Sequence, residues 1–393
     1  MNDFKFFTPT RYIFGKDAQK NAGTLSAELL GSKVLVVFGH NSAKKSGLLD
    51  EVENSLKENG LLFYEFGGIK PNPTDGPVRE GIRLCREEGI TGIIAIGGGS
   101  VIDTAKAIAA GVEYNGDFWD FFTGKAVPKT ALPIGVVLTI PAAGSEGSGN
   151  SVITAEADLR KLSIRTDYVL RPKFALLNPE LTYSLPPYQT ACGIVDMIAH
   201  ILERYFTPTE GADVSDRISE GIIKAIIENA PIAMKNPKDY TARANIMWAG
   251  TLAHNGICGC GKVEDWGSHA LEHEISALYD VAHGAGLSVI LLAYMRFIIG
   301  RKPQRLAQLG RNVFDGIKGV ETETETAEAT MLEFEKFFKS LDMPLTFSQL
   351  GIENPKIDLM VEKVHQNKGK VFGAYYPITA SVSREIYKLA LGK

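Results

Sequence analysis

Short, unbroken apolar runs alternate with helical patterns through the first part of the chain. Lys33 to Phe38 (Lys-Val-Leu-Val-Val-Phe) and Gly92 to Ile96 (Gly-Ile-Ile-Ala-Ile) are β-branched, of strand length and followed by glycine, which predicts buried strands. Between them the spacing predicts a helix over Gly47 to Asn59, a strand over Leu62 to Phe66 and a helix over Thr74 to Glu88, opened by Pro73-Thr74-Asp75. Another helix is predicted over Val101 to Ala110, and further strands over Val136 to Ile140 and over Lys173 to Leu177, where Asn178-Pro179 ends the run. Apolar strands without polar alternation suit a parallel sheet covered on both faces. Residues 1–185 are therefore expected to form an α/β domain.

After Pro186-Pro187 the strand runs vanish. Helical patterns follow over Tyr188 to Tyr205, Ala212 to Ala230, Ala242 to Asn255 and Ala327 to Leu341, so residues 186–393 are expected to be all-helical. The acidic run Glu321-Thr-Glu-Thr-Glu-Thr ahead of Met331 reads as a solvated helix start. No internal repeat is visible.

Composition narrows the function classes. A length of 393 residues suggests two to three domains, and 45% hydrophobic against 22% charged residues exclude a disordered chain. With 42 Lys plus Arg against 46 Asp plus Glu, the net charge of −4 offers no basic surface for nucleic acid or anionic lipid. Four cysteines are too few for a disulfide framework and fit a reducing compartment. The N-terminus lacks a signal-peptide pattern. The longest apolar stretch, Leu287 to Ile299, is broken by Arg296 and shorter than the roughly 20 residues of a membrane span. A cytoplasmic soluble protein is expected, with no nucleic-acid or membrane partner.

Candidate chemistry gathers in three places. Gly97-Gly98-Gly99-Ser100 joins a strand to a helix, where backbone N–H groups and a helix N-terminus meet an anion such as a pyrophosphate; Ser100 adds a hydroxyl, and Asp103 and Lys106 lie one turn apart on that helix. Gly39 ends another strand and leads into Ser42, Lys44 and Lys45, with no acid to accept a ribose hydroxyl. That end favours a 2′-phosphate, as in NADP, unless the lysines simply solvate a helix start. Asp196 and His200 are four apart, as are His269 and His273, and His283 lies just past the second pair. One carboxylate with three imidazoles suits Fe(II), Zn or Ni and is too nitrogen-rich for Mg or Ca. Cys192 and Cys258-Gly-Cys260 offer a competing thiolate site, whereas His254 and His365 read as ordinary core residues.

Taken together, Pro71-Asn-Pro73, Gly97-Gly-Gly-Ser-Val-Ile-Asp-Thr-Ala-Lys106, Thr139-Ile-Pro-Ala-Ala-Gly-Ser-Glu146, Asp196-Met-Ile-Ala-His200 and Asp265-Trp with its three following histidines resemble the iron-containing (group III) alcohol dehydrogenases, in their butanol dehydrogenase and NADPH-dependent aldehyde reductase branch. The resemblance runs nearly end to end. It implies a dehydroquinate synthase-like fold, with a dinucleotide-binding domain over 1–185, a helical metal-binding domain over 186–393 and the site between them. It places the metal, Fe(II) or Zn or Ni in its stead, on Asp196, His200, His269 and His283, and sets His273 near nicotinamide and substrate without ligating. Contacts to NADP(H), with NAD(H) as the other candidate, fall on Gly39, Ser42, Gly97, Gly98, Gly99, Ser100, Asp103, Thr139, Ser145 and Lys161. The chain departs from the branch in Gly39-His40-Asn41-Ser42, where Gly-Gly-Gly-Ser is usual, and in Ala143, where Thr is usual. The implied reaction is hydride exchange with a primary alcohol or aldehyde by a homodimer, with the metal as Lewis acid and His273 relaying the proton. A polyol dehydrogenase or an NAD-using lyase on the same fold is the alternative.

Overall fold

The apolar runs pair into one sheet. In the computed structural model, which describes residues 1–317 and 322–392, the first elements are β1 (Arg11–Phe14), α1 (Ala22–Leu29), β2 (Lys33–Gly39), the single turn α2 (Ser42–Lys45), α3 (Leu48–Glu58), β3 (Leu62–Ile69) and α4 (Asp75–Glu88). They continue as β4 (Gly92–Gly97), α5 (Gly99–Val112), the single turn α6 (Trp119–Phe122), β5 (Ile134–Leu138), β6 (Asn150–Thr154), β7 (Lys161–Arg165) and β8 (Phe174–Leu177). Six strands form a parallel sheet in the order β1-β8-β5-β4-β2-β3. Every residue of β4 and β5 is buried, as strands covered on both faces require. This compact unit spans Phe7–Leu185.

Strand boundaries differ from expectation by one residue in β2, β4 and β8 and by more in β3 and β5. β5 starts and ends two residues early, because Ile140 precedes Pro141, which turns the chain. β3 runs on to Ile69 through Gly67, where a Cβ would lie 2.4 Å from the Phe38 ring, so only glycine passes there. β1 and the antiparallel hairpin β6/β7 went unread, because Arg-Tyr-Ile-Phe and Lys-Leu-Ser-Ile-Arg mix polar and apolar positions too briefly to show a period.

The second unit comprises Met1–Phe6 and the chain from Pro186 on. It holds α7 (Pro187–Tyr205), α8 (Asp213–Lys235), α9 (Tyr240–His254), α10 (Gly267–Tyr279), α11 (His283–Ile299), α12 (Gln304–Val313), α13 (Glu323–Ser340), α14 (Ile357–Lys368) and α15 (Ala380–Leu389). The apolar stretch ending at Ile299 is core, buried along α11, and Arg296 reaches Glu335 at 2.6 Å. Among the described residues no single helix is long and apolar enough to cross a membrane. α13 opens with a capping box between Thr322 and Glu325, which is what the acidic run encodes; Glu321 lies outside the described residues. α8 continues through Pro231 beyond its expected end, its last turn held by Ala233 in the core and by the bond from Asn236 N–H to Ile232 O. A buried ion cluster braces the unit, with Asp216 gripped by both guanidinium nitrogens of Arg305 at 2.7 Å and by Lys262 at 2.8 Å.

Candidate active site

In the α/β unit, the order β3-β2-β4-β5 makes the chain leave β2 and β4 in opposite directions, which opens a crevice beyond their carboxyl ends. Gly39 and Gly97 end those two strands. Gly98 caps α5 with an extended backbone and no side-chain bond, and no acid stands in the first turn, so the helix presents N–H groups and positive dipole to an anion. The neighbours demand glycine as well. A Cβ at Gly98 would lie 2.9 Å from Ile140 Cβ, and one at Gly99 would lie 3.1 Å from Ala143 Cβ. Thr139 continues the β5 ladder, its N–H bonded to Gly97 O at 3.0 Å.

Asp103 and Ser145, both expected to contact the cofactor, have their polar atoms engaged within the protein. Asp103 accepts from Ser145 Oγ at 2.6 Å and from Val152 N–H at 2.9 Å. The fully buried Lys106 donates to Ser145 O at 2.6 Å, Ser145 Oγ and Ser148 O at 2.8 Å, and Asn150 O at 2.9 Å. Burial pushes Lys106 down to about 8, with Asp103 and Glu146 resisting, so the ammonium still carries its proton at neutral pH. Asp103, Lys106 and Ser145 thus fix the loop that follows Thr139. Lys161 Nζ donates to Asn72 Oδ1 at 3.0 Å, tying β7 to the Pro71-Asn72-Pro73 turn.

The end of β2 differs from its sequence reading. Lys44 Nζ contacts Glu65 Oε2 at 2.8 Å, and hydrogen bonding to Glu65 raises its pKa. An acid does stand near this strand end, supplied by β3 where a reading of one strand cannot see it. Ser42 and Lys45 remain exposed.

In the helical unit, Asp196, His200 and Glu203 share one face of α7 at the spacing i, i+4, i+7. α10 contributes His269, Glu272 and His273, and His283 opens α11. Nδ1 of His200 lies 3.0 Å from Asp196 Oδ1 and 2.8 Å from Asp196 O, and Nε2 of His269 and of His283 each lie 3.8 Å from Asp196 Oδ1. Neighbouring ligands of a tetrahedral ion stand roughly 3.4 Å apart when bonds are about 2.1 Å. Asp196 Oδ1 and His269 Nε2 are buried without a well-formed hydrogen bond, the condition of donor atoms turned toward an ion. The donor set therefore fits a divalent metal.

Electrostatics agree. Burial works to raise the Asp196 carboxyl, but His200, His269 and His283 outweigh it and hold the group well below the usual carboxylate range. Burial likewise opposes charge on His269, yet Asp196 and Glu203 lift its pKa to about 9. Burial lowers His200. The two carboxylates Asp196 and Glu203 thus favour positive charge beside His269.

Residues the sequence reading passed over surround this cluster. Glu203 Oε1 accepts from His269 N–H at 2.8 Å and Nδ1–H at 3.0 Å, and Glu272 Oε2 bonds His283 Nδ1. Helical spacing from His200 would have found Glu203; nothing local marks Glu272. His254 is a buried core residue, its ring packed edge-on against His200 at 4.1 Å, and it stands in neither metal-competent group among the described residues. Arg204 stacks over Trp266 at 4.7 Å and donates to His200 O at 2.7 Å. His273 is 7% exposed, its ring 5.6 Å from that of His283. His365 is satisfied by Gly369 O and Ser383 Oγ, both at 2.9 Å. The cysteines are free thiols; Cys258 and Cys260 donate to the carbonyls of Leu252 and Gly256 at 3.8 and 3.6 Å, and the metal-competent groups among the described residues contain no cysteine.

Comparison with known proteins finds relatives along nearly the whole chain. The family model for iron-containing alcohol dehydrogenase matches residues 9–179, and the model for the C-terminal part of the Fe-containing alcohol dehydrogenase family matches residues 190–391. The chain is 39% identical to NADH-dependent butanol dehydrogenase A of Clostridium acetobutylicum, covering 99% of each. It is 38% identical to the NADPH-dependent aldehyde reductase YqhD of Escherichia coli, over 99% of this chain and 100% of that protein. The crystal structure of NADH-dependent butanol dehydrogenase A from Thermotoga maritima superposes with a TM-score of 0.94 at 37% identity, over 100% of this chain and 99% of the other. The chain belongs to the iron-containing alcohol dehydrogenase family.

Proposed function

We propose that the protein is a metal-dependent alcohol dehydrogenase and aldehyde reductase, exchanging hydride between NAD(P)(H) and a primary alcohol or its aldehyde of about butanol size. The observation that carries this reading is that one nitrogen each of His200, His269 and His283 lies 3.0–3.8 Å from the buried Asp196 Oδ1. Asp196, His200, His269 and His283 hold the ion, with Fe(II) as the native occupant and Zn or Ni competing for the same donors. A bound divalent cation supplies Lewis-acid polarisation of the substrate oxygen, worth several kcal/mol in the transition state. His273 exchanges the proton of the alcohol through its imidazole. Arg204, Trp266 and His254 wall one side of the ligands and exclude water, which strengthens every charge interaction within.

In the α/β unit, Gly97, Gly98, Gly99 and Ser100 receive the pyrophosphate at the head of α5, while Gly39 and Ser42 face the adenosine ribose and Thr139 and Lys161 line the remainder. Asp103 and Ser145 serve by shaping that loop. Engagement of Lys44 by Glu65 leaves Ser42 and Lys45 to meet a 2′-phosphate, so we assign use of both NADPH and NADH, in keeping with similarity to enzymes of either kind. Four free thiols suit a reducing cytoplasm, and the family resemblance supports a homodimer.

The test is oxidation of NADPH and NADH at 340 nm with butanal, by protein stripped of metal and then reloaded with Fe(II), Zn(II) or Ni(II). Turnover restored by reloading is expected. A metal hydrolase on this fold would leave the absorbance unchanged, and a lyase would consume no net cofactor.

A further inference from the structure

We propose that Glu203 and Glu272 are positioning residues for the metal, holding the imidazoles of His269 and His283 in the tautomer and orientation that present Nε2 to the ion. The inference deepens the metal reading above and rests on it. Both carboxylates are almost wholly withdrawn from water, at 2% and 0% exposure, and a buried anion needs a partner. In each case the partner is Nδ1 of a histidine whose Nε2 faces Asp196 Oδ1 at 3.8 Å. A carboxylate on Nδ1 requires the proton there, which leaves the Nε2 lone pair for the ion. The ring of His200 differs: its Nδ1 lies 2.8 Å from Asp196 O and 3.0 Å from Asp196 Oδ1, so its orientation is set by α7 itself and not by a second carboxylate.

A second feature was built for Glu272. Gly286 lies three residues after His283 on α11, and a Cβ there would stand 2.5 Å from Glu272 Oε1 and 2.9 Å from its Cγ. The helix interior thus gives up a side chain, at a cost in backbone entropy, in the place where Glu272 passes to reach His283. Glu203 has an additional task. It accepts His269 N–H at 2.8 Å and so caps α10, whose own N-cap residue Trp266 makes no side-chain cap bond. Glu272 lies inside α10, away from its N-terminal N–H groups, so its replacement leaves the cap of that helix in place.

The experiment uses full-length protein stripped by chelation and titrated with Co(II) against a competing chelator, reading both the dissociation constant and the visible ligand-field spectrum. Glu272→Gln and Gly286→Ala are each expected to weaken Co(II) binding about 10–100-fold and to shift the spectrum, while the metal-free Glu272→Gln protein keeps the wild-type circular dichroism and melting temperature. Glu203→Gln, whose amide oxygen can still cap α10, is expected to weaken binding to a similar degree. A Glu272→Gln protein that binds Co(II) within twofold of wild type, with an unchanged spectrum, would overturn the proposal. Wild-type protein that takes up no Co(II) would instead overturn the metal reading beneath it.

Discussion

The two units build their sites by opposite means. In Phe7–Leu185 the site is made of backbone: glycines end β2 and β4, the N–H groups of α5 point outward, and the side chains behind the loop bond one another. In the helical unit the candidate site is made of side chains on α7, α10 and α11, in two adjoining groups, Asp196 with His200 and His269, and Glu272 with His273 and His283. A backbone site is broken by adding atoms and a side-chain site by removing them. That contrast orders the expected effects of mutation.

The largest should come from Asp196→Ala, which removes the one carboxylate common to all three imidazoles. It is expected to abolish metal retention, with kcat/KM lowered by about 10³-fold or more; metal analysis beside a butanal assay checks both. His273→Ala is expected to keep its metal and lose about 10²-fold in kcat, and a metal-free His273→Ala protein would erase the distinction between holding the ion and moving the proton. In the other unit, Gly98→Ala adds a Cβ 2.9 Å from Ile140. It should raise the KM for NAD(P)H about tenfold with metal content untouched. Gly39→Asp has room, since a Cβ there meets nothing nearer than Ile69 O at 3.7 Å. The added carboxylate should move the NADPH-to-NADH ratio of kcat/KM toward NADH by about tenfold, measured with both cofactors at one pH.

The smallest effect concerns a side chain near the metal helices with no part in the chemistry. Glu274 Oε2 is buried without a hydrogen-bond partner, and burial lifts the group from 4.5 to about 7 although Asn367 holds the other oxygen at 2.8 Å. A carboxyl raised in this way favours the folded state below its unfolded pKa, and that contribution is lost as pH rises through about 7. Glu274→Gln should therefore melt a few degrees higher than wild type at pH 8 and at the same temperature at pH 4. Calorimetry at both values checks it, and equal melting at pH 8 would contradict the assignment.

The same contrast explains what the sequence disclosed. Strands β2 and β4 and their glycines were legible because burial on both faces leaves no polar residue to blur the run. Asp196, His200 and His269 were legible because i, i+4 spacing survives in one dimension. The supports were not. Glu272 bonds His283 eleven residues away, across a turn whose geometry depends on Asp280 in a left-handed conformation, and its slot at Gly286 is visible only once α10 and α11 pack. The Lys44 and Glu65 contact was hidden for a similar reason: parallel register sets Glu65 beside Val36, and no local pattern reports register across a crossover.

On the proposed reading, Asp196, His200, His269 and His283 grip one ion. The most direct test of that reading is anomalous diffraction at the iron edge from crystals of Fe(II)-loaded protein. A single peak within about 2.3 Å of a carboxylate oxygen of Asp196 and of one nitrogen each from His200, His269 and His283 is the expected result; a peak seated on Cys258 and Cys260, or on Glu272 and His273 without Asp196, would contradict it.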